Sequence, residues 1–298
     1  MTKKTFLTFS LYAVLSLPVC AQSMQSLFIP VDPVTEGLAG STIAKDAAAY
    51  AAADNASAMS FSNYRFRSSL SYGMWQPSVA DVSTFSAGAF IKMNDRVALG
   101  FTASYILDKE TSITNINGAV TGVYAPKDII VRVGASYLLG ESISLGLSTR
   151  LLHSSISPEM SGNAIGADLS AMLRKNFWSA SVALCNLGTS INYGTESYAM
   201  PALLRAGGAA SVAGFTFSGE ADYLFEGAFS AAAGAEYGFA DMVFARLGYH
   251  YASADKGLPS FASTGLGIKL YGISLDLAYL FLSETLRNSL NISIGYSF

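Results

Sequence analysis

Most residues of this chain that could carry chemistry are charges set inside apolar alternations. Arg132, Arg150, Asp168, Arg205, Glu220, Asp222, Glu236, Arg246 and Asp276, with Lys92, each fall on the polar phase of a period-two pattern. Both signs are present, so the first expectation is a charge network whose members pair with one another across an enclosed lumen. Contact with a polar group of a substrate is the alternative. Hydrolysis would need a Ser/His pair held by a third group, and Ser154 and Ser155 are neighbours of His153 in sequence only. Neither His153 nor His250 has a Cys or carboxylate cluster at metal-ligand spacing. No Gly-x-Ser-x-Gly elbow is present, and Gly265, Leu266 and Gly267 fit strand packing better than phosphate binding. The expectation is a non-enzymatic protein with no metal and no cofactor. Of the two cysteines, Cys20 falls in an export segment and Cys185 on an inward face, where it is expected to be inert. A net charge of −3 leaves no basic footprint for nucleic acid.

The elements that must position these charges are strands. Fourteen alternating segments run from Arg65 to Phe298. One carries Val97, Leu99, Phe101, Ala103, Tyr105 and Leu107 on a single face; another carries Ile129, Val131, Val133, Ala135, Tyr137 and Leu139; the last carries Leu290, Ile292, Ile294, Tyr296 and Phe298. Charged residues are 13% of the chain and hydrophobic ones 51%, against about 25% charged in soluble domains. No apolar run outside the first 25 residues reaches the roughly 20 needed for a membrane helix. The connections alternate between short turns and longer loops at 108–127, 154–163, 186–200 and 252–263. This pattern predicts an all-β fold, a transmembrane antiparallel β-barrel of about fourteen strands, with short periplasmic turns and long external loops. An Arg or Lys facing lipid near the midplane costs about 2–4 kcal/mol, so the charges must face inward. So must a few apolar side chains, among them Phe90, Ile130, Leu203 and Leu224.

The chain divides into a signal peptide (1–21), a plug segment (22–64) and the barrel (65–298). Lys3 and Lys4, an apolar stretch over 6–17, and Val19, Cys20 and Ala21 form the export signal. Val19 is a poor residue before a lipidated cysteine, which favours cleavage after Ala21 over acylation of Cys20. The stretch 37–63 is rich in alanine, which predicts a small-residue helix packed in the lumen. The final Tyr296 and Phe298 form an aromatic ending of the kind read by the barrel-insertion machinery.

Three blocks carry a resemblance. GLAGSTIAKDAAAYAAADNASAMSFSNY (37–64) supplies Gly37, Gly40, Ala44, Asp54 and Asn63, with Tyr64 where the related pattern has Pro. NLGTSINYGTESYAMPALLRAGGA supplies Asn186, Leu187, Gly188, Pro201, Leu204, Arg205 and Gly207. GAEYGFADMVFARLGYHY supplies Gly234, Glu236, Tyr237, Arg246, Gly248 and Tyr249. In this order they resemble the PorV/PorQ family of Bacteroidota outer-membrane proteins, whose fourteen-stranded fold is of the FadL type. The resemblance implies an outer-membrane barrel set in lipid. It would associate with the type IX translocon and its secreted cargo through loops 108–127 and 186–200, with Asn186, Gly188, Tyr193, Tyr198 and Pro201 as candidate partner residues. A FadL-like conduit for small hydrophobic compounds, gated by the plug, is the alternative.

Overall fold

A computed structural model describes residues 24–253 and 257–298. The predicted signal peptide and Cys20 lie outside the described residues. Among these, eighteen strands follow one another: β1 (Phe66–Trp75), β2 (Val82–Lys92), β3 (Val97–Leu107), β4 (Thr111–Thr114), β5 (Val120–Tyr124), β6 (Lys127–Leu139), β7 (Ile143–Ser157), β8 (Met160–Lys175), β9 (Trp178–Gly188), β10 (Ile191–Tyr193), β11 (Glu196–Tyr198), β12 (Leu203–Val212), β13 (Phe215–Leu224), β14 (Ala228–Phe239), β15 (Val243–Ala252), β16 (Phe261–Leu270), β17 (Ile273–Phe281) and β18 (Leu290–Ser297). Fourteen of them close one antiparallel barrel, in which β1 pairs with both β2 and β18. The seam is made by the barrel's two ends: the Phe66 N–H donates to the Phe298 carbonyl (3.0 Å) and the Phe298 N–H to that of Phe66 (3.1 Å). Both ends therefore lie at one rim, the inner one, together with the short turns at 140–142, 176–177, 213–214 and 271–272.

The alternation decides which face each residue takes. The outward set stays exposed: Leu99, Leu147, Leu169, Leu247, Leu266 and Ile292 make an aliphatic band. Phe85, Tyr223, Phe229, Tyr249 and Tyr251 ring its outer edge, and Tyr137, Trp178, Phe215, Tyr237, Tyr296 and Phe298 its inner edge. An apolar band between aromatic girdles is what a bilayer demands of a barrel wall. The inward set is mostly Ser, Thr, Gly and Ala, small enough to leave room for a plug.

One expectation at the outer rim is corrected. The stretch 154–163 is not a long loop: β7 and β8 continue their pairing to Ser157 and Met160, with only residues 158–159 in the turn. The alternation runs as far as Ser154, and after a register shift between Ser155 and Ser157 the pairing continues to the turn. The loops 108–127 and 186–200 each hold a small hairpin, β4–β5 and β10–β11.

Candidate functional site

The segment before β1 fills the lumen, and its conformation is set by the wall. Its α-helix, α1 (Pro33–Gly37), is short: Asp32 caps it, its Oδ1 accepting from the Val34 N–H at 3.1 Å, and Pro33 supplies a preset φ at the first turn. A 3-10 turn spans Ala56–Phe61. The alanine run between them is not the helix predicted from composition; it is a succession of turns. A helix would spend its own N–H and C=O groups on itself. Here the wall takes them: the Ile43 N–H donates to Glu220 (2.8 Å), Arg67 donates to the Ala47 carbonyl (2.6 Å), Ser179 to the Ala44 carbonyl, and the Ser57 N–H to Ser170 (3.2 Å). Propensity is a weak prior, and satisfied backbone groups outweigh it. Alanine serves a second purpose, allowing backbone to approach backbone. A Cβ on Gly88 would stand 2.9 Å from the Ala49 carbonyl oxygen, and one on Gly248 would enter the Leu38–Ala39 peptide.

The predicted charges all face the lumen, but they pair along the wall and downward to the plug, not across the lumen. Adjacent strands bring side chains within about 5 Å of each other, whereas the plug occupies the middle. Arg246 donates from Nε to Glu236 (2.6 Å) and from Nη1 to Asp276 (2.7 Å), and Lys45 of the plug joins Glu236 at 2.8 Å. Arg205 bonds Glu220 and lies 3.6 Å from Asp222 and 3.3 Å from Asp54 of the plug. Arg150 bonds Asp168 and Asn186. Among the described residues no carboxylate forms an ion pair with Arg132, the cross-strand partner of Arg150. Of the plug residues named from sequence, Gly37 packs on Gly265, Ala44 is buried, Gly40 holds a left-handed φ of 90°, Asp54 is ion-paired and Asn63 is exposed.

Asn186 organises one corner of the wall. A bulge in the β8–β9 pairing sets it opposite Asp168 with a left-handed φ of 61°. Its N–H donates to Asp168 (2.6 Å), its Oδ1 accepts from Arg150, and its Nδ2 donates to the Pro201 carbonyl (2.8 Å). Gly188 packs against Met200, Tyr193 of β10 is buried in the apolar cluster beneath the outer rim, and Tyr198 is half-buried against the same cluster. The candidate partner residues thus serve the wall and the lumen cap.

Burial alters the plug carboxyls. The Glu36 carboxyl, desolvated beside Asn291, is pushed up to about 8. Asp32 is raised to about 6 by burial, with the nearby Asp276 adding to it. Burial also lowers the Lys45 ammonium, against the pull of Glu236.

Above the charged layer the lumen turns apolar. Trp75, Ile106, Ile130, Leu152, Phe261, Leu280 and Leu286 form a buried cluster beneath the outer loops. Between the two layers lies a cavity of about 170 Å³, lined by the apolar Leu27, Phe28, Ile29, Leu203, Leu258 and Phe261 and by the charged Arg132, Arg150, Arg205, Asp32, Asp54, Asp168, Glu220 and Asp222. His250 stacks on Phe261 there, ring centroids 5.1 Å apart. Sequence reasoning missed the 25–31 stretch as a cavity wall, although its Leu-Phe-Ile run before Pro30 is a readable apolar signal. His153 sits at the outer rim against Asn163 (2.9 Å). Among the described residues no group of His, Cys, Asp and Glu could hold a metal ion.

No protein-family model matches the sequence, and no curated protein matches it significantly. Solved structures do. CymD, a monoaromatic hydrocarbon channel, superposes with a TM-score of 0.67 at 15% identity, over 91% of this chain and 98% of that one. This is the fold of the FadL-like outer-membrane barrels. The toluene transporter TodX of Pseudomonas putida gives 0.64 at 14% identity, over 88% and 96% of the two chains. A FadL homologue from Pseudomonas aeruginosa gives 0.59 at 13%, over 91% and 99%. At these identities the likeness is one of fold. These structures support the PorV/PorQ resemblance as far as the FadL-like barrel.

Proposed function

We propose that the protein is a non-enzymatic outer-membrane channel that binds and admits small hydrophobic compounds, reaching its membrane after loss of residues 1–21. The observation that carries this reading is the cavity beside the plug. It is mostly apolar with charged side chains in its wall, lies under the outer loops, and sits in a FadL-like barrel whose structural neighbours include hydrocarbon channels. Small ligands are taken by concave apolar sites with a few placed polar groups. The residues that carry the secretion resemblance have local duties in this barrel. Gly234 and Gly248 give the plug its approach, Glu236 and Arg246 pair with each other, and Asn186 forms the bulge.

Cells lacking their own uptake of aromatic hydrocarbons, and expressing this barrel, should accumulate radiolabelled toluene faster than cells with empty vector. Leu203→Trp, which fills the cavity, should remove most of the difference. Accumulation equal to vector would overturn the channel reading. A second reading, docking of secreted protein cargo, draws on the exposed Ile116, Val120 and Val123 of the β4–β5 hairpin. It would be supported by translocon components or secreted cargo retained on the tagged barrel in mild detergent. The barrel-insertion machinery belongs to either reading, as the reader of Tyr296 and Phe298, both of which face lipid at the inner rim.

A further inference from the structure

We infer that Glu36 of the plug and Asn291 of the last strand share a proton, as a carboxylic acid–amide pair that latches the plug to the wall. Glu36 is 1% exposed and Asn291 3%. Asn291 hydrogen-bonds the Glu36 carboxyl, yet Oε1 of Glu36 and Oδ1 of Asn291, both buried, have no partner. The oxygens of an ionised carboxylate and of an amide only accept, so these two cannot satisfy each other as they stand. Buried polar atoms are rarely left in that condition. A proton on Oε1 makes it a donor. The Glu36 O–H then donates to Asn291 Oδ1, the Asn291 Nδ2 donates to the other Glu36 oxygen, and both atoms are satisfied at once.

The charges around α1 offer Glu36 no ion pair instead. Strands β15, β16, β17 and β18 pack on this helix. Arg246 of β15 is taken by Glu236 and by Asp276 of β17. Lys269 of β16 donates to Tyr64, His250 of β15 stacks on Phe261, and β18 carries no charged residue. Tyr249, Tyr251 and Tyr296 face lipid, and Tyr279 bonds Asn288. On the plug, Lys45 and Asp54 are paired with Glu236 and Arg205. The charge that does act on Glu36 is Asp32, an acid, which adds to burial in favouring the protonated form. Asn291 pairs with Ala278 of β17 on one side and with Gly73 of β1 on the other, so the latch fastens the plug to the strand that closes the ring. Folded Glu36, at about 8, holds its proton more tightly than at its ordinary 4.5. The latch is therefore complete below 4.5 and is lost as pH rises through about 8. Its loss leaves a carboxylate in a dry site beside Asp32, and α1 must leave the wall to hydrate it. The latch goes beyond the channel reading and acts whatever compound the barrel admits.

Infrared difference spectra of the barrel in lipid vesicles, unmodified protein minus Glu36→Gln, test the pair. At neutral pH they should hold the C=O band of a protonated carboxylic acid, shifted in deuterium oxide. The band should give way to a carboxylate band as pH rises through about 8. Asn291→Leu should move the acid band to higher frequency, because its C=O has lost an N–H donor. Conductance in planar bilayers tests the latch. The unmodified barrel should conduct more at about pH 9 than at neutral pH. Glu36→Gln, whose amide pairs with Asn291 without a shared proton, should stay at its neutral-pH value throughout, and Asn291→Leu should conduct at the raised level already at neutral pH. Each variant is first checked for the heat-modifiable gel migration of an intact barrel. A carboxylate band in place of the acid band at neutral pH, or an acid band indifferent to Asn291→Leu, would overturn the pair. An acid band with the same conductance at every pH in all three proteins would overturn the latch and leave the channel reading standing.

Discussion

At the scale of single residues, Asn186 and Glu36 make the sharpest expectations. Asn186 satisfies Arg150 and the Pro201 carbonyl with its side chain while holding a left-handed backbone. Asn186→Gly loses the side-chain bonds and keeps the backbone freedom; Asn186→Ala loses both. Leaving buried partners unsatisfied costs about 1–3 kcal/mol, and the left-handed conformation adds roughly 1–2 kcal/mol for a residue with a Cβ. Urea unfolding in lipid vesicles should therefore rank Asn186→Ala below Asn186→Gly, and equal midpoints would refute the backbone part of the argument. Glu36 makes a pH expectation. Its folded value of about 8 lies above its ordinary 4.5, so the native protein holds the proton more tightly than the unfolded chain. Its contribution to plug docking is complete below 4.5 and is lost as pH rises through about 8. Protease nicking of the plug should be slower at about pH 5 than at about pH 9, and Glu36→Gln should remove that difference. The inward direction of the charges was legible in the sequence, because a charge within an apolar alternation has only one affordable face. Their partners were not. Pairing depends on which strands the closed register sets side by side, and the lack of a carboxylate at Arg132 shows only once Asp168 is seen to be occupied.

At the scale of elements, period two was decisive and composition misled. Each of the fourteen barrel strands answers to an alternation in the sequence, and the pattern ran further than expected in β7 and β8. The hairpins β4–β5 and β10–β11 went unseen because their strands, of three to five residues, are too short for an alternation to declare itself. The alanine run read as helix from propensity, yet it packs as turns because its backbone bonds to serines, arginines and a glutamate that lie over a hundred positions away in most cases. Glycines on the wall hold the complementary half of that contact. Gly248→Leu would drive a side chain into the Leu38–Ala39 peptide, and overpacking of this kind costs about 1–3 kcal/mol. The strand itself faces lipid through Leu247 and Tyr249 and keeps both. The expected outcome is an intact barrel with a loosened plug, read as a rise in single-channel conductance in planar bilayers. Unchanged conductance in a correctly migrating barrel would show that the plug does not limit passage.

At the scale of the whole molecule, the barrel was legible because lipid leaves few alternatives: every backbone group must be satisfied within the wall, so a chain of amphipathic strands has to close. What fills the space inside was less legible, since the lumen places no periodic demand on its contents. The seam between β1 and β18 has a consequence for timing. Residues 24–63 are made before any strand of the wall, yet they end up enclosed by all of it. The wall becomes a ring only when Phe66 meets Phe298, a pairing between its first strand and its last. Until that moment the plug can come and go sideways through the gap. Afterwards the way in and out is along the axis. A plug already seated when the seam closes is thus walled in on every side except the two ends.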